Sequence, residues 1–296
     1  MAKPSSIRFT DNAGRPTIEA IGLPRATLRD LYHRILTARW RWFFLIATVY
    51  YLSVHAIFAV LYLLQPGSIA NARAGSFWDA YFFSVQTWMT IGYGVMSPGS
   101  FWGHWLVTVE AFLGMLTTAV ITGLVFAKFA RPTANILFSE VCCIGPVDGV
   151  PTLSFRMANA RGNRLVEAAL TVNVARTIKT AEGESFRRVI DLKLVRSHNP
   201  MFFVGWTALH KHDEASPLFG HDTATLAKDA AEILVVLTGL DEDIAATVHA
   251  RKAYGPGDIR WGHRFADIVT TSTELNGVRV FDYRKFHQTL ELPAKA

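Results

Sequence analysis

The sequence is poor in charged side chains. Only 18% of its 296 residues are Asp, Glu, Lys or Arg, whereas soluble domains carry about a quarter. The mean hydropathy is +0.21. This composition argues against an ordinary soluble protein and indicates membrane-embedded segments.

Cysteine is also scarce. The two cysteines, Cys142 and Cys143, are adjacent and lack the Cys-x-x-Cys or Cys/His spacing of a zinc site. A disulfide scaffold is excluded, and we expect both thiols to be reduced. A cluster of histidine and acidic residues at 210–214 resembles a metal site. Such clusters are common in surface loops, so we interpret this one as part of a surface loop.

Several functional motifs are missing. The sequence has no phosphate-binding loop, nucleophile elbow or Rossmann glycine pattern, so we expect no enzyme activity and no cofactor. Neither apolar run contains the regularly spaced arginines of a voltage sensor. These absences leave transport, anchoring or binding as the functions to consider.

Two long apolar runs are present. Residues 42–64 contain no Asp, Glu, Lys or Arg, and residues 101–127 contain only Glu110. Both runs are long enough to cross a bilayer, and we predict spans at about 42–64 and 101–130. The first run is too long, and too far from the N-terminus, to be a signal peptide.

Basic residues flank the outer ends of both runs, whereas the connecting segment 65–100 has only Arg73. The positive-inside rule therefore places both termini in the cytoplasm. The net charge of +6 comes largely from these flanks, which favours anionic lipid headgroups over nucleic acid. The predicted lipid-binding residues are Arg34, Arg39, Arg41, Lys128 and Arg131.

The segment before the first run has helical periodicity. Between residues 28 and 39, apolar side chains recur at helical spacing, and basic side chains lie off that stripe. This pattern predicts an amphipathic helix lying along the membrane interface. A helix packed on protein is the alternative. Residues 1–40 would thus comprise a polar tail and this interfacial helix.

The connection between the runs contains a third apolar stretch. Residues 77–89 are aromatic and apolar but too few to cross, which predicts a re-entrant pore helix. The helix leads directly into Thr90, Ile91, Gly92, Tyr93 and Gly94.

This glycine-bearing segment has the chemistry of an ion filter. Potassium selection requires layers of oxygen ligands that replace the water around the ion, and backbone carbonyls can supply them. Glycine permits the conformations that point successive carbonyls inward. We predict a filter at 90–94, with K⁺ bound at Thr90, Ile91, Gly92 and Tyr93. One chain supplies one wall, so four copies are required.

The second run contains a polar face. Thr118, Thr122 and Phe126 lie on one side of a helix, which predicts that they line the pore, with Phe126 as a hydrophobic gate. Helix packing through small residues, and an anchoring role for Phe126, are the alternatives. Glu110 is the formal charge inside this span, and we expect it to support the filter from behind.

The remaining residues, 132–296, show short alternating strands. Apolar residues alternate around 153–157, 170–174 and 191–196, and residues 232–238 have the composition of a buried strand. Turn signals separate them. We predict an all-β sandwich on the cytoplasmic side, joined to a pore domain at 41–131.

Several runs resemble a known family. They include Ser84–Gly94, Asp213–Phe219 and Trp261–Phe265, and the resemblance to the inwardly rectifying potassium channels, in their prokaryotic (KirBac) branch, covers residues 25–287. It implies a homotetramer in the bacterial cytoplasmic membrane with immunoglobulin-like cytoplasmic domains. It also implies that lipids or the cytoplasmic domain modulate the gate through an interfacial slide helix.

The sequence departs from eukaryotic family members at two places. Those members pair a pore-helix Glu with an Arg after the filter, where this chain has Gln86 and Met96. Filter support must come from other contacts, and Gln86 and Glu110 are the candidates. Thr118 stands where strong rectifiers have an acid, so we do not expect strong polyamine-dependent rectification. A poorly selective cation channel and a membrane-anchored β-domain sensor are the alternative functions.

Overall fold

The computed structural model describes residues 10, 11, 13, 14, 17, 30–271 and 279–293. The chain divides into two compact units, one of Gly22–Arg131 and one of Met1–Ile21 with Pro132–Ala296.

The first unit is mainly helical. Its elements in chain order are α1 (Leu31–Thr37), α2 (Trp40–Leu63), β1 (Ile69–Ala70), α3 (Phe77–Trp88), β2 (Ser97–Pro98) and α4 (Phe101–Phe129). By length and composition, α2 and α4 are able to cross a membrane. The 12 residues of α3 cover only about 18 Å at 1.5 Å per residue, too short for a bilayer.

Both α3 and α4 begin at a serine cap. The Ser76 hydroxyl accepts from the Asp79 N–H and the Ser100 hydroxyl from the Gly103 N–H, which satisfies otherwise unpaired amides of the first turn. The helix α1 is shorter than the predicted 28–39, and residues 28 and 29 lie outside the described residues. It ends because Ala38 adopts an extended conformation, with ψ of 150°.

The helix α3 packs against both long helices. Buried side chains from all three form one cluster, whose members include Phe58 and Tyr62 of α2, Phe83 and Trp88 of α3, and Leu106 of α4. The pore helix is thereby fixed from two sides.

Among its described residues, the second unit is a β-rich domain with one short α-helix, α5 (Thr223–Lys228), and two 3-10 helices, Pro256–Asp258 and Tyr283–Lys285. Its strands are β3 (Ile136–Phe138), β4 (Cys142–Val147), β5 (Val150–Asn159), β6 (Leu165–Lys179), β7 (Ser185–Asp191), β8 (His198–Phe202), β9 (Gly205–Lys211), β10 (Glu232–Asp241), β11 (Ala246–Tyr254), β12 (Ile259–Trp261), β13 (His263–Phe265), β14 (Val269–Thr271), β15 (Arg279–Phe281) and β16 (Thr289–Glu291).

Ten of these strands form two five-stranded sheets. One has the order β11-β10-β6-β7, with β8 also paired to β6; the other has the order β12-β4-β5-β3, with β9 also paired to β5. Inward side chains of both sheets, such as Phe155 of β5 and Val172 of β6, share one buried cluster. The domain is therefore a β-sandwich, and the prediction of a buried strand at 232–238 is confirmed by β10.

The predicted strand at 191–196 is wrong. Asp191 ends β7, and residues 192–197 have no strand structure. The alternation arises because Leu192 is buried against the sandwich core while its neighbours Asp191 and Lys193 are exposed.

Thr10, in the segment predicted to be a polar tail, contacts the sandwich. The backbone N–H and the hydroxyl of Thr10 each donate to the Glu232 carboxylate, both at 3.2 Å. Glu232 also forms an ion pair with Arg187 at 3.0 Å. Thr10 is therefore held on the first sheet of the sandwich, where it contacts β10.

Candidate ion-conduction site

The segment after α3 has an alternating backbone. Thr90, Gly92 and Gly94 have φ angles of +54°, +57° and +84°, whereas Ile91 and Tyr93 between them do not have positive φ. A regular β-strand points successive residues to opposite sides, and this alternation of sign instead lets successive carbonyls face the same side. The predicted filter residues thus have the backbone pattern that ion binding requires.

Thr90 also has a left-handed backbone, whereas the sequence predicts this conformation only for the glycines of the segment. A β-branched residue at positive φ is rare and costs about 1–2 kcal/mol. The Thr90 hydroxyl donates to the Met89 carbonyl at 2.7 Å, and its lone pairs remain able to accept or to bind a cation.

The C-terminus of α3 leads into this segment without a break. The Ile91 N–H donates to the Gln86 carbonyl at 2.8 Å, and the Thr90 N–H donates to the Thr87 carbonyl at 3.1 Å. Gln86 therefore contacts the predicted filter through its backbone. The negative end of the helix dipole lies at this terminus and favours a cation nearby.

The loop before α3 holds the segment that follows the filter. The Asn71 amide donates to the Val95 carbonyl at 2.9 Å, and β1 pairs with β2. Arg73 binds Asp79, in the first turn of α3, through two side-chain hydrogen bonds of 2.6 and 2.9 Å. These contacts join the loop before α3 to the segment after residue 94 and to the first turn of α3, and no periodic pattern in the sequence indicates them.

Glu110 lies in a buried polar network behind α3. Its side chain is fully buried and accepts from the Tyr62 hydroxyl at 2.6 Å and from the Ser84 hydroxyl. The Ser84 oxygen lies 2.8 Å from Nδ1 of His55. Glu110 is thus bonded to the pore helix through Ser84 and to α2 through Tyr62.

Gly114 explains how closely α4 approaches the pore helix. A Cβ atom at this buried position would lie 2.6 Å from the Trp88 carbonyl oxygen. Only glycine fits at this contact, so Gly114 has a packing role that sequence reasoning missed.

The proposed pore-lining residues share one exposed face of α4. Thr118, Thr122 and Phe126 are all exposed in the single chain, with Phe126 at 74%. Phe129 is equally exposed but lies against Trp40, with ring centroids 4.6 Å apart. The two phenylalanines therefore have different surroundings within the same helical turn.

The basic residues divide into two groups. Arg34, Arg39 and Arg41 are exposed, whereas Lys128 is only 9% exposed. Its ammonium donates to the carbonyls of Leu36 and Ala38, at 3.1 and 2.5 Å. The charge of Lys128 binds the end of α1, because those carbonyls have no partner inside the helix. A role of Lys128 in lipid binding stays a prediction.

Arg131 is exposed but also bonded, since its guanidinium donates to the Leu36 carbonyl at 3.1 Å. Lys128 and Arg131 thus both donate to the Leu36 carbonyl.

The histidine cluster at 210–214 is a structural feature of the sandwich. His210 is buried, with Nδ1 2.8 Å from the Lys193 carbonyl and Nε2 2.8 Å from the Ser216 hydroxyl. Both ring nitrogens are occupied, and the described residues contain no cluster of three or more His, Cys, Asp or Glu able to hold a metal ion.

The chain matches two family models that together cover both units. Residues 41–131 match the model described as ion channel, and residues 136–296 match the inward rectifier potassium channel C-terminal domain. The second match alone covers more than half of the chain.

Complete relatives agree with these matches. The inward rectifier potassium channel Kirbac3.1 of Paramagnetospirillum magnetotacticum is 43% identical over 282 residues, which is 95% of each chain. The ATP-sensitive inward rectifier potassium channel 12 of Bos taurus is 30% identical over 97% of this chain and 72% of its own. The inward rectifier potassium channel 18 of Homo sapiens is 31% identical over 97% of this chain and 71% of its own.

These matches confirm the predicted fold class, a two-span pore domain followed by a β-sandwich, and place the chain in a class of ion channels, which are not enzymes. The chain is a membrane protein and belongs to the inward rectifier potassium channel family, as a KirBac-type member.

Proposed function

We propose that four copies of this chain surround a pore that conducts K⁺ selectively and passively. The backbone carbonyls of Thr90, Ile91, Gly92 and Tyr93 bind the dehydrated ion, and K⁺ is the permeant species in a protein without a cofactor. The observation that carries this proposal is the alternating backbone of residues 90–94 at the end of a pore helix.

The large aromatic side chains that a single chain leaves exposed support a tetramer. Tyr93 is 72% exposed, and Trp78 and Phe82 of α3 are 61% and 52% exposed. These large side chains surround a segment that supplies only one wall of a pore. Neighbouring copies around a fourfold axis would cover them and complete each layer of ligands.

The gate lies at the cytoplasmic end of α4. Thr118 and Thr122 line the cavity, and Phe126 closes it by excluding water. The basic residues Arg34, Arg39, Arg41 and Arg131 place both termini in the cytoplasm of a bacterium and bind anionic headgroups. Lipids and the cytoplasmic sandwich modulate the gate, and nucleic acid is not a partner.

The test is ion flux into liposomes containing the purified protein. Wild-type protein is expected to pass K⁺ much faster than Na⁺ and to be blocked by Ba²⁺. Gly92→Ala should abolish selective flux, because a side chain at φ of +57° is strained. Gly67→Ala is the matched control, since Gly67 also has positive φ (+77°) and open space around it but lies in the loop before α3.

Selective flux that survives Gly92→Ala would contradict the assignment of the filter. Equal rates for Na⁺ and K⁺ in the wild type would instead indicate a poorly selective cation channel. Absence of any flux would favour a membrane-anchored sensor.

A further inference from the structure

In the buried network behind the pore helix, each hydrogen bond has a donor and an acceptor that can be assigned. His55, Ser84 and Glu110 are fully buried and Tyr62 is 1% exposed. The Tyr62 and Ser84 hydroxyls both donate to the carboxylate of Glu110. Each hydroxyl has a single proton to donate, so Ser84 must accept its contact with His55, and Nδ1 of His55 carries the proton.

An ionised Glu110 carboxylate accounts for both of these hydrogen bonds. Nε2 of His55 is then an unprotonated nitrogen, and within the described residues this atom is indeed buried without a partner. A protonated Glu110 that donated to Ser84 would reverse the chain and place the proton on Nε2. The reversed chain would leave an unpaired N–H in the interior, which native proteins rarely contain.

Within the part of the chain that the structure describes, the Glu110 carboxylate pairs with hydroxyl groups and with no Lys or Arg side chain. Between Trp42 and Ala127, the Asp, Glu, Lys and Arg residues are Arg73, Asp79 and Glu110. Arg73 and Asp79 pair with each other at 2.6 Å. Lys128 lies eighteen positions along α4, about 27 Å away at 1.5 Å per residue. An isolated buried carboxylate is costly, and a tetramer contains four of them.

We propose that the K⁺ ions in the filter and in the cavity below it are the counter-charge of Glu110, and that Tyr62, Ser84 and His55 are positioning residues that keep this carboxylate ionised and fixed behind the pore helix. This inference rests on the proposed function. Ser84 precedes Trp88, the last residue of α3, by four residues, about 6 Å along the helix. Charges buried at this separation are little screened by salt.

The test compares a monovalent and a divalent cation. Electrostatic energy is proportional to the charge of the ion. The factor by which Glu110→Gln lowers the affinity for Ba²⁺ should therefore be the square of the factor by which it lowers the affinity for K⁺. If Glu110→Gln weakens K⁺ binding about threefold, Ba²⁺ binding should weaken about ninefold. Calorimetric titration of the purified wild-type and variant tetramers gives both affinities.

Glu110→Asp is the matched control, because it shortens the side chain and keeps the carboxylate charge. It should change both affinities by similar, smaller factors. Equal factors for K⁺ and Ba²⁺ in Glu110→Gln, or no change, would overturn the inference. A wild type that binds K⁺ no better than Na⁺ would instead contradict the proposed function itself.

Infrared spectroscopy supplies a second measurement if Glu110→Gln does not assemble. In wild-type protein loaded with K⁺, Glu110 should contribute a carboxylate band, assigned by its shift in Glu110→Asp, which keeps the charge. A band of a buried protonated carboxyl group at this position in the presence of K⁺ would overturn the inference.

Discussion

The ammonium group of Lys128 donates to the backbone carbonyl of Ala38 at 2.5 Å, at the junction between α1 and α2. Lys128 lies in the last turn of α4 and also faces the Trp40 ring, 5.1 Å from its centroid. One side chain therefore joins the proposed interfacial helix to the proposed gating helix.

Replacing Lys128 with Met should loosen α1. The substitution keeps an apolar stem but leaves the carbonyls of Leu36 and Ala38 without their donor, at a cost of about 1–3 kcal/mol. We expect faster hydrogen exchange across residues 31–38 and an altered open probability. Arg34→Met removes the same charge from an exposed position of α1 and should leave exchange unchanged. Equal effects of the two variants would show that charge alone matters.

Gly114→Ala should destabilise the pore domain. The added Cβ would lie 2.6 Å from the Trp88 carbonyl oxygen, and overpacking of this kind costs about 1–3 kcal/mol. The midpoint of thermal unfolding and K⁺ flux should both fall, because Trp88 ends α3 only two residues before the proposed filter begins at Thr90.

Gly123→Ala is the control for Gly114→Ala, because nothing lies within 4 Å of its Cβ position. It should be neutral or should stabilise α4 by up to about 1 kcal/mol. A Gly114→Ala protein as stable as Gly123→Ala would contradict the close contact with Trp88.

Phe126→Ala should raise the open probability several-fold in single-channel recordings. Removing the aromatic ring widens the proposed hydrophobic constriction and allows water to enter it. Phe129→Ala is the control, since Phe129 is 73% exposed but packs on Trp40. If both substitutions change gating equally, Phe126 is an anchor and the constriction lies elsewhere.

Acidification should destabilise the sandwich through His210. Burial lowers the pKa of His210 from its ordinary value of 6.5, so below that pH the unfolded chain binds a proton that the folded chain does not. Stability is therefore present above pH 6.5 and falls as the pH decreases, by up to about 1.4 kcal/mol per pH unit. Thermal unfolding of the purified protein across this range measures the slope.

His210→Gln should flatten this dependence, since an amide can donate and accept without titrating. An unchanged slope in His210→Gln would show that another group is responsible.

The helical elements can be predicted from the sequence because the number of residues in each apolar run can be counted directly along the chain. The expected spans at 42–64 and 101–130 correspond to α2 (Trp40–Leu63) and α4 (Phe101–Phe129), and the pore helix at 77–89 corresponds to α3 (Phe77–Trp88). Each of these depends on residues that are neighbours in sequence.

The contacts of the site depend on distant residues and could not be predicted in this way. Tyr62 and Glu110 are 48 positions apart, and Ser84 and Glu110 are 26 apart. Lys128 illustrates the same limit: basic residues beside a span indicate lipid headgroups, but its partner is the end of a helix about 90 residues earlier. The strand predicted at 191–196 failed because alternation of buried and exposed residues also occurs in an extended loop.

The hydrogen bonds between Thr10 and Glu232 have a mechanical consequence. Because the N-terminal segment is fastened to the sandwich, the chain leaves the sandwich twice, once toward α1 and once, at Pro132, toward α4. Two covalent connections therefore join the pore unit to the unit that contains the sandwich. Cleavage of the chain before residue 30 would leave a single covalent connection between the two units, the one at Pro132.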